Sequence, residues 1–465
     1  MREILPNASN LDGFESELGT ERFGEFTTAM TRAADLLDGR TLWHINSAAE
    51  GGGVAEILQS VLGYLAAIGI DVRWSVIEGG DDFFALTKRL HNMLHGSDGD
   101  SVDNDDRALY ERTLDANLKG SSFDAGAVVV LHDPQTVGLA PAFRRNGCTV
   151  LWSCHIGADE PNASVEAAWD FLLPYARATQ AQVFSRRAYA WEGLADDEVE
   201  IIPPCIDACA VKNEHLDEGS VRAILSASGV IPSGNDGEPT FTRPDGSEGM
   251  VKRPADLIES APMDPAASFV VQVSRWDVLK DPVGVMKGFV EHVAPGLGTH
   301  LMLAGPAEGS IDDDPESKRV IDLVRTEWKE LSDDARARVH IACLPMDDIE
   351  ENAAIVNALQ RRADVVVQKS KAEGFGLTVA EAMWKAKAVV GSRVGGIQDQ
   401  IEDGESGLLV DPDDLSGFGA SLTRPLEDRG FAKRIGSNAR ERVSKEYLAD
   451  RYLIRWMQLV ARRIA

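Results

Sequence analysis

Residues 363–396 read ADVVVQKSKAEGFGLTVAEAMWKAKAVVGSRVGG. Two runs rich in β-branched residues, ADVVVQKS and KAVVGS, flank a helical pattern, which is the signature of two parallel strands joined through a helix. Gly374, Phe375, Gly376 and Leu377 lead directly into that helix, so their N–H groups are poised for an anion. Glu373 and Glu381 have seven residues between them, one standing before the helix and the other on its first turn. A carboxylate accepts from two vicinal hydroxyls, so two of them facing one cleft suit a sugar ring and a ribose. Locally, Glu381 also fits a capping box with Thr378, three residues earlier.

The same alternation extends outward in both directions. SFVVQVSR, THLMLAG and RVHIACL read as further strands of a series from about 268 to 411, and TLWHINS, IDVRWSVIE, AGAVVVLHD, CTVLWSCHI, AQVFS and VEIIPP form an earlier series in residues 41–205. After Gly53, residues Val54, Ile57, Leu58, Val61, Leu62 and Leu65 keep the spacing of one helix face. Strand and helix in repeated alternation imply parallel sheets covered on both sides. The expected fold class is therefore α/β, with two doubly wound, Rossmann-like domains facing an interdomain cleft and ligands at the carboxyl ends of the strands. The expected boundaries are an N-terminal extension over 1–40 without a strand, a first domain over 41–208, a second over 209–445, and a C-terminal amphipathic helix over 446–465 that packs back on the first domain. Residues 231–267, rich in Gly, Pro and Asp, read as an irregular excursion.

Composition narrows the function. A chain of 465 residues exceeds one ordinary core, and 44% hydrophobic with 26% charged residues is a globular mix. With 75 acidic against 47 basic residues the net charge is −28, which repels polyanions and argues against nucleic acid as partner. The sequence lacks an apolar run long enough for a bilayer, and its opening residues do not read as a secretion signal, so a cytoplasmic protein without a membrane partner is expected. Cysteines 148, 154, 205, 209 and 343 show no paired spacing and read as reduced thiols. A phosphorylated substrate would need a local positive pocket in this acidic protein.

Two further segments can supply one. AAEGGGVAEILQS places Gly51, Gly52 and Gly53 at a helix start, where glycine permits close backbone approach to a phosphate or sugar hydroxyl; a plain strand-to-helix turn explains it equally. VVQVSRWDVLKDP puts Arg275 and Lys280 beyond a strand, where two cations can bind a diphosphate and stabilise charge growing on a leaving group. Isolated Arg and Lys are more usually solvated surface residues. The acidic clusters at 98–100 and 312–314 lie in polar stretches and read as solvated charge, so no metal is expected.

Together these motifs resemble the signature of retaining GT-B glycosyltransferases. INSAAEGGGVAEILQSVLGYL, DVRWSVIEGGDDFFALTKRLHNMLHG, VVLHDPQTVGL, VVQVSRWDVLKDPVGVMKGF and AEGFGLTVAEAMWKAKAVVGSRVGGI are similar to trehalose glycosyltransferring synthases, and retaining trehalose phosphorylases share much of the pattern. The resemblance covers roughly residues 41–411. It implies that Arg275 and Lys280 hold the donor phosphates, that Glu381 takes the ribose hydroxyls, and that Glu373 with the amides of Gly374, Phe375, Gly376 and Leu377 holds the transferred sugar and its phosphate. Gly52 and Gly53 would approach the phosphate from the opposite domain. His132 and Asp133 fall near the anomeric carbon, with His155 a second candidate, and Asp133 and His155 also face the acceptor. Glu78, Lys88 and Asn92 are candidate acceptor-binding residues for a neutral sugar.

The implied reaction moves glucose with retention from a nucleoside-diphosphate glucose, ADP- or UDP-glucose, to glucose, forming trehalose without a further cofactor. The departing phosphate takes the acceptor proton, since no dedicated carboxylate nucleophile is found. A trehalose phosphorylase using glucose 1-phosphate, a nucleotide-sugar epimerase and an idle sugar-binding module are the competing readings. A homodimer is compatible with the sequence.

Overall fold

The computed structural model describes residues 1–6, 9, 11–50, 52–97, 101–121, 123–234, 237–307 and 315–464. The acidic clusters at 98–100 and 312–314, and Gly51, lie outside them. The chain divides into two compact units, residues 1–207 with 448–465 and residues 208–447.

The first unit is built on a seven-stranded sheet of β1 (Arg2–Ile4), β2 (Leu42–Asn46), β3 (Val72–Val76), β4 (Val128–His132), β5 (Thr149–Cys154), β6 (Ala181–Phe184) and β7 (Val199–Ile201), in the order β1-β3-β2-β4-β5-β6-β7. Every pairing is parallel except β1 with β3. The central strands are buried on both faces, which is why they read as continuous apolar runs and not as alternating ones. Strand β1 corrects the expectation that residues 1–40 hold none: its three residues pair only along the sheet edge, too short a stretch to show a period. Helix Gly53–Ala67 buries Ile57, Leu58, Val61, Leu62 and Leu65, each such side chain contributing about 1.5–3 kcal/mol when withdrawn from water.

The last helix, Ala449–Ile464, belongs to this unit. Its apolar face, with Tyr452, Leu453, Trp456, Met457 and Val460, is buried, and it lies against helix Thr20–Leu37. There Arg22 grips the fully buried Asp450 through Nε and Nη2, each 2.6 Å from a carboxylate oxygen. A planar fork on a carboxylate fixes both position and orientation.

The second unit repeats the plan. Its hairpin of β8 (Thr240–Thr242) and β9 (Glu248–Met250) stands apart from a second seven-stranded sheet. That sheet comprises β10 (Asp256–Ile258), β11 (Phe269–Val273), β12 (His300–Pro306), β13 (Val339–Leu344), β14 (Val365–Gln368), β15 (Ala388–Ser392) and β16 (Leu408–Val410), in the order β10-β13-β12-β11-β14-β15-β16. Only β10 runs antiparallel. The segment expected to be irregular, 231–267, thus contributes a hairpin and an edge strand. Its Gly and Pro residues mark turns between very short strands instead of the absence of strands.

Among the parallel strands of each sheet, chain order reverses at one place, between β2 and β4 in the first and between β11 and β14 in the second. In doubly wound folds the crossovers on the two sides of such a point leave to opposite faces, and ligands bind at the strand ends there. Cys148, Cys154, Cys205 and Cys343 are free and buried, and burial pushes their thiols upward in pKa. Among the described residues no helix is long and apolar enough to cross a membrane, and no group of three or more His, Cys, Asp or Glu is placed to hold a metal ion.

Candidate active site

In the second unit the loops after β11 and β14 meet beyond the reversal point. A short 3-10 turn, Val278–Lys280, is capped by Asp277, whose carboxylate accepts the Leu279 amide at 2.8 Å. It delivers Lys280 Nζ to 2.6 Å from Glu373 Oε2, an oxygen that also accepts from Ser370 Oγ at 3.2 Å. Both partners are largely sheltered, at 16% and 12% side-chain exposure. Arg275 is more open, half-exposed, with Nη2 3.1 Å from Asp277 Oδ2. The structure therefore brings Lys280 and Glu373 into contact, 93 residues apart, and leaves Arg275 at the rim of the same loop.

Beyond Glu373, Gly376 takes φ 88° and ψ 66° as N-cap of helix Leu377–Trp384, and no side chain caps that helix. Gly376 occupies a left-handed region that glycine enters without a Cβ penalty. The carbonyls of Phe375 and Gly376 accept from Gln400 Nε2 at 2.6 and 3.3 Å, and that of Gly374 from the Gly396 amide at 3.2 Å. The loop's acceptors are thus tied to the following crossover, while of the first helical amides Val379 bonds back to the Gly376 carbonyl at 3.0 Å and those of Leu377 and Thr378 precede the first helical hydrogen bond.

Glu381 is buried, at 2% exposure, on the second turn of that helix and not its first. The capping box with Thr378 does not form, because the left-handed Gly376 starts the helix at Leu377 and places Thr378 inside it. Instead Glu381 Oε1 lies 3.4 Å from Lys212 Nζ. Lys212 was not singled out in the sequence, where it sits in a segment without strand or helix period.

In the first unit, strand β4 ends in His132 and the next residue, Asp133, adopts φ 59°. Asp tolerates this left-handed conformation better than most residues, and such strain concentrates at functional sites. Asp133 Oδ1 accepts the backbone amide of His155, at the end of β5, at 2.8 Å, and the Asp133 carbonyl accepts from Trp152 Nε1 at 3.0 Å. His155 Nε2 is 3.1 Å from Ser153 Oγ, and its ring stacks parallel to that of His132 with centroids 6.0 Å apart.

His132 is buried and meets a residue that sequence reasoning did not flag: His44 Nδ1 lies 3.0 Å from His132 Nε2. The parallel register sets His44 opposite Val130, so His132, two residues on, shares its face. One of the two facing nitrogens carries the proton and the other accepts it. The outward nitrogens, His44 Nε2 and His132 Nδ1, are buried with no partner among the described residues. Burial pushes His44 down to about 3 and holds His132 far below the ordinary range, aided by His44 and then His155. Burial also lowers His155, against the pull of Asp133, and raises Asp133, against the effect of His155. These imidazoles are therefore neutral near pH 7, hydrogen-bonding groups and not cations.

The remaining candidates lie elsewhere in this unit. Gly52 is the exposed N-cap of helix Gly53–Ala67, with no side-chain cap. Glu78 is exposed and meets the amino group of Met1 at 3.3 Å. Lys88 is exposed and Asn92 half-buried on helix Asp81–Leu94. Among the described residues none of these three hydrogen-bonds or ion-pairs with the histidine cluster.

Residues 44–191 match the family model described as trehalose synthase, N-terminal domain, and residues 331–442 match glycosyl transferases group 1. The trehalose synthase of Rubrobacter xylanophilus is 33% identical over 476 aligned residues, covering 99% of both chains. The chain belongs to the trehalose synthase family. Trehalose phosphorylase from Grifola frondosa is also similar, at 25% identity over 89% of this chain and 56% of that protein. In fold, the crystal structure of an α,α-trehalose-phosphate synthase (UDP-forming) from Burkholderia vietnamiensis superposes with a TM-score of 0.66 at 15% identity, over 91% of this chain and 96% of that one. This member of the trehalose synthase family accordingly has the GT-B fold, with two Rossmann-like sheets, and is a glycosyltransferase of the hexosyl-transferring class.

Proposed function

We propose that this enzyme transfers glucose, with retention, from a nucleoside-diphosphate glucose to glucose, forming trehalose. The observation that carries the reading is the pairing of Lys280 with Glu373 beside the uncapped N-terminus of helix Leu377–Trp384. An ammonium, the backbone amides at a helix start and a carboxylate within one loop cluster offer partners for both halves of a sugar phosphate: cationic and N–H donors for the phosphate, an acceptor for the sugar hydroxyls.

In the mechanism, the bond between the donor's anomeric carbon and its phosphate oxygen breaks as the bond to the acceptor's anomeric oxygen forms on the same face. The acceptor's proton passes to the departing phosphate oxygen. Lys280, Arg275 and the amides of Gly374, Phe375, Gly376 and Leu377 stabilise the charge gathering on that phosphate, Glu373 holds hydroxyls of the transferred glucose, and Glu381 takes the ribose. Most of the rate then comes from positioning and fixed electrostatics. The second unit thus carries the donor side. The first carries the acceptor side, where Asp133 and the neutral His132 and His155 orient hydroxyls, Gly52 and Gly53 add amides for phosphate, and Glu78, Lys88 and Asn92 make outer contacts.

A second reading draws support from one contact. Glu381 already faces Lys212 at 3.4 Å, and a carboxylate occupied by a cation suits a trehalose phosphorylase that binds no ribose. Incubation with ADP-glucose, UDP-glucose or glucose 1-phosphate, each with glucose, separates the two. Trehalose with release of nucleoside diphosphate is the expected result; trehalose with phosphate, from glucose 1-phosphate alone, would establish the phosphorylase. Consumption of nucleotide sugar without an acceptor would instead mark an epimerase.

A further inference from the structure

The loops after β11 and β14 are joined by ion pairs of opposite sense, and the half-exposed Lys371 also brings its Nζ to 3.8 Å from Asp281 Oδ2. Lys280 reaches Glu373 at 2.6 Å, and its neighbour in sequence, Asp281, pairs with Lys369 at the end of β14. Lys369 has no exposed side-chain surface at all. Asp281 holds φ 49° and ψ 48°, a left-handed conformation, and its Oδ1 accepts the Gly284 amide at 3.1 Å as N-cap of helix Pro282–His292. The fit is close, since a Cβ at Gly284 would lie 2.1 Å from Asp281 Oδ2. On either side the backbone is also held: buried Gln272 donates to the Lys280 carbonyl at 2.7 Å, and the Lys371 amide donates to the Leu279 carbonyl at 2.7 Å.

A carboxylate one residue from a phosphate-binding ammonium is a hazard, because it attracts that ammonium and weakens the local positive field. Placing a second, sequestered ammonium against the carboxylate removes the competition. We infer that Lys369 is a positioning residue for the transfer reaction: by neutralising Asp281 and pinning it as the helix cap, it keeps the charge of Lys280 directed at Glu373 and the donor phosphate. The left-handed backbone at Asp281 is what sends two adjacent, oppositely charged side chains to different partners. This inference rests on the role given to Lys280 above, and the test separates the two.

The test is a cycle of Lys369→Met and Lys280→Ala in the full chain, with kcat measured at saturating ADP- or UDP-glucose and Tm measured alongside. Lys369→Met alone should lower kcat by about tenfold or more, while in the Lys280→Ala background the same change should cost less than about twofold, because coupled residues are non-additive. The Tm loss from Lys369→Met should be the same in both backgrounds. An equal kcat factor in both backgrounds would overturn the inference and leave Lys369 a structural residue. If Lys280→Ala by itself leaves transfer unchanged, the donor-site reading fails instead. Should Lys369→Met not fold, Lys369→Gln keeps a hydrogen-bond donor for Asp281 while removing the charge, and the same cycle applies.

Discussion

Each sheet carries, at the point where its strand order reverses, an aspartate held in the left-handed conformation: Asp133 after β4, with φ 59°, and Asp281 after β11, with φ 49°. Their surroundings differ sharply. Asp133 sits among imidazoles that burial keeps neutral, bonded to a backbone amide and to an indole through its own carbonyl. Asp281 sits in a lattice of full charges, with Lys369, Lys371, Lys280 and Glu373 within two loops. On the proposed function the same backbone device serves two chemistries. A neutral hydroxylated ligand is best held by uncharged donors and acceptors, whereas a diphosphate in a protein of net charge −28 needs paired cations whose field is not cancelled.

The sharpest way to break this contrast is Lys280→Ala. On the proposed reading, loss of this ammonium should lower kcat/KM with nucleotide sugar on the order of 10²–10³-fold, with Tm little changed because the side chain is not part of the core. A smaller effect comes from the first unit. Asp133→Asn keeps both the tolerance for a left-handed backbone and an acceptor oxygen for the His155 amide, so Tm should stay within about 2 °C while turnover falls by about tenfold. An Asn variant with native turnover would mean that the Asp133 carboxylate acts only as a backbone brace.

The two regions also differed in how far the sequence revealed them. The long strands and their helices were readable because VVVQ, VVVLH and FVVQV are continuous apolar runs and residues 54–65 keep a helical period. Strands β1, β10 and β16 and the β8-β9 hairpin were not, since three residues show no period; β7, equally short, was read only through the longer run VEIIPP. In the segments after β11 and β14, Arg275, Lys280, Glu373 and Glu381 could be picked out by residue type and spacing. Their partners could not: Lys212 meets Glu381 across 169 positions of chain, and Lys369 looks in sequence like any lysine leaving a strand. His44 was hidden for a different reason, because only the β2-β4 register places it on the same face as His132.

That register supports a test by pH. His44 is held at about 3, below its ordinary 6.5, so the unfolded chain binds the proton more readily than the folded one. Its contribution to stability is full above about pH 6.5 and is lost as pH falls from there towards 3, by up to about 1.4 kcal/mol per pH unit. Denaturation curves between pH 7 and 4 should therefore lose slope in His44→Gln, which retains hydrogen-bonding capacity without titrating. An unchanged slope would mean that His44 is not the source of the acid sensitivity of the uncharged site.

The weakest effects test where that uncharged site ends. Helix Asp81–Leu94 follows β3, so it starts at the carboxyl edge of the sheet and runs back along its face. At 1.5 Å per residue, Lys88 and Asn92 lie roughly 10 and 16 Å along its axis from Asp81, whereas Glu78 precedes its start. If the acceptor is held at the strand ends, alanine substitutions should raise the acceptor KM in the order Glu78, Lys88, Asn92, from about threefold down to less than twofold, the last being within the range of ordinary surface changes. The reverse order would move the acceptor from the strand ends to the flank of this helix, and the neutral histidines would then be a structural cluster and not its binding site.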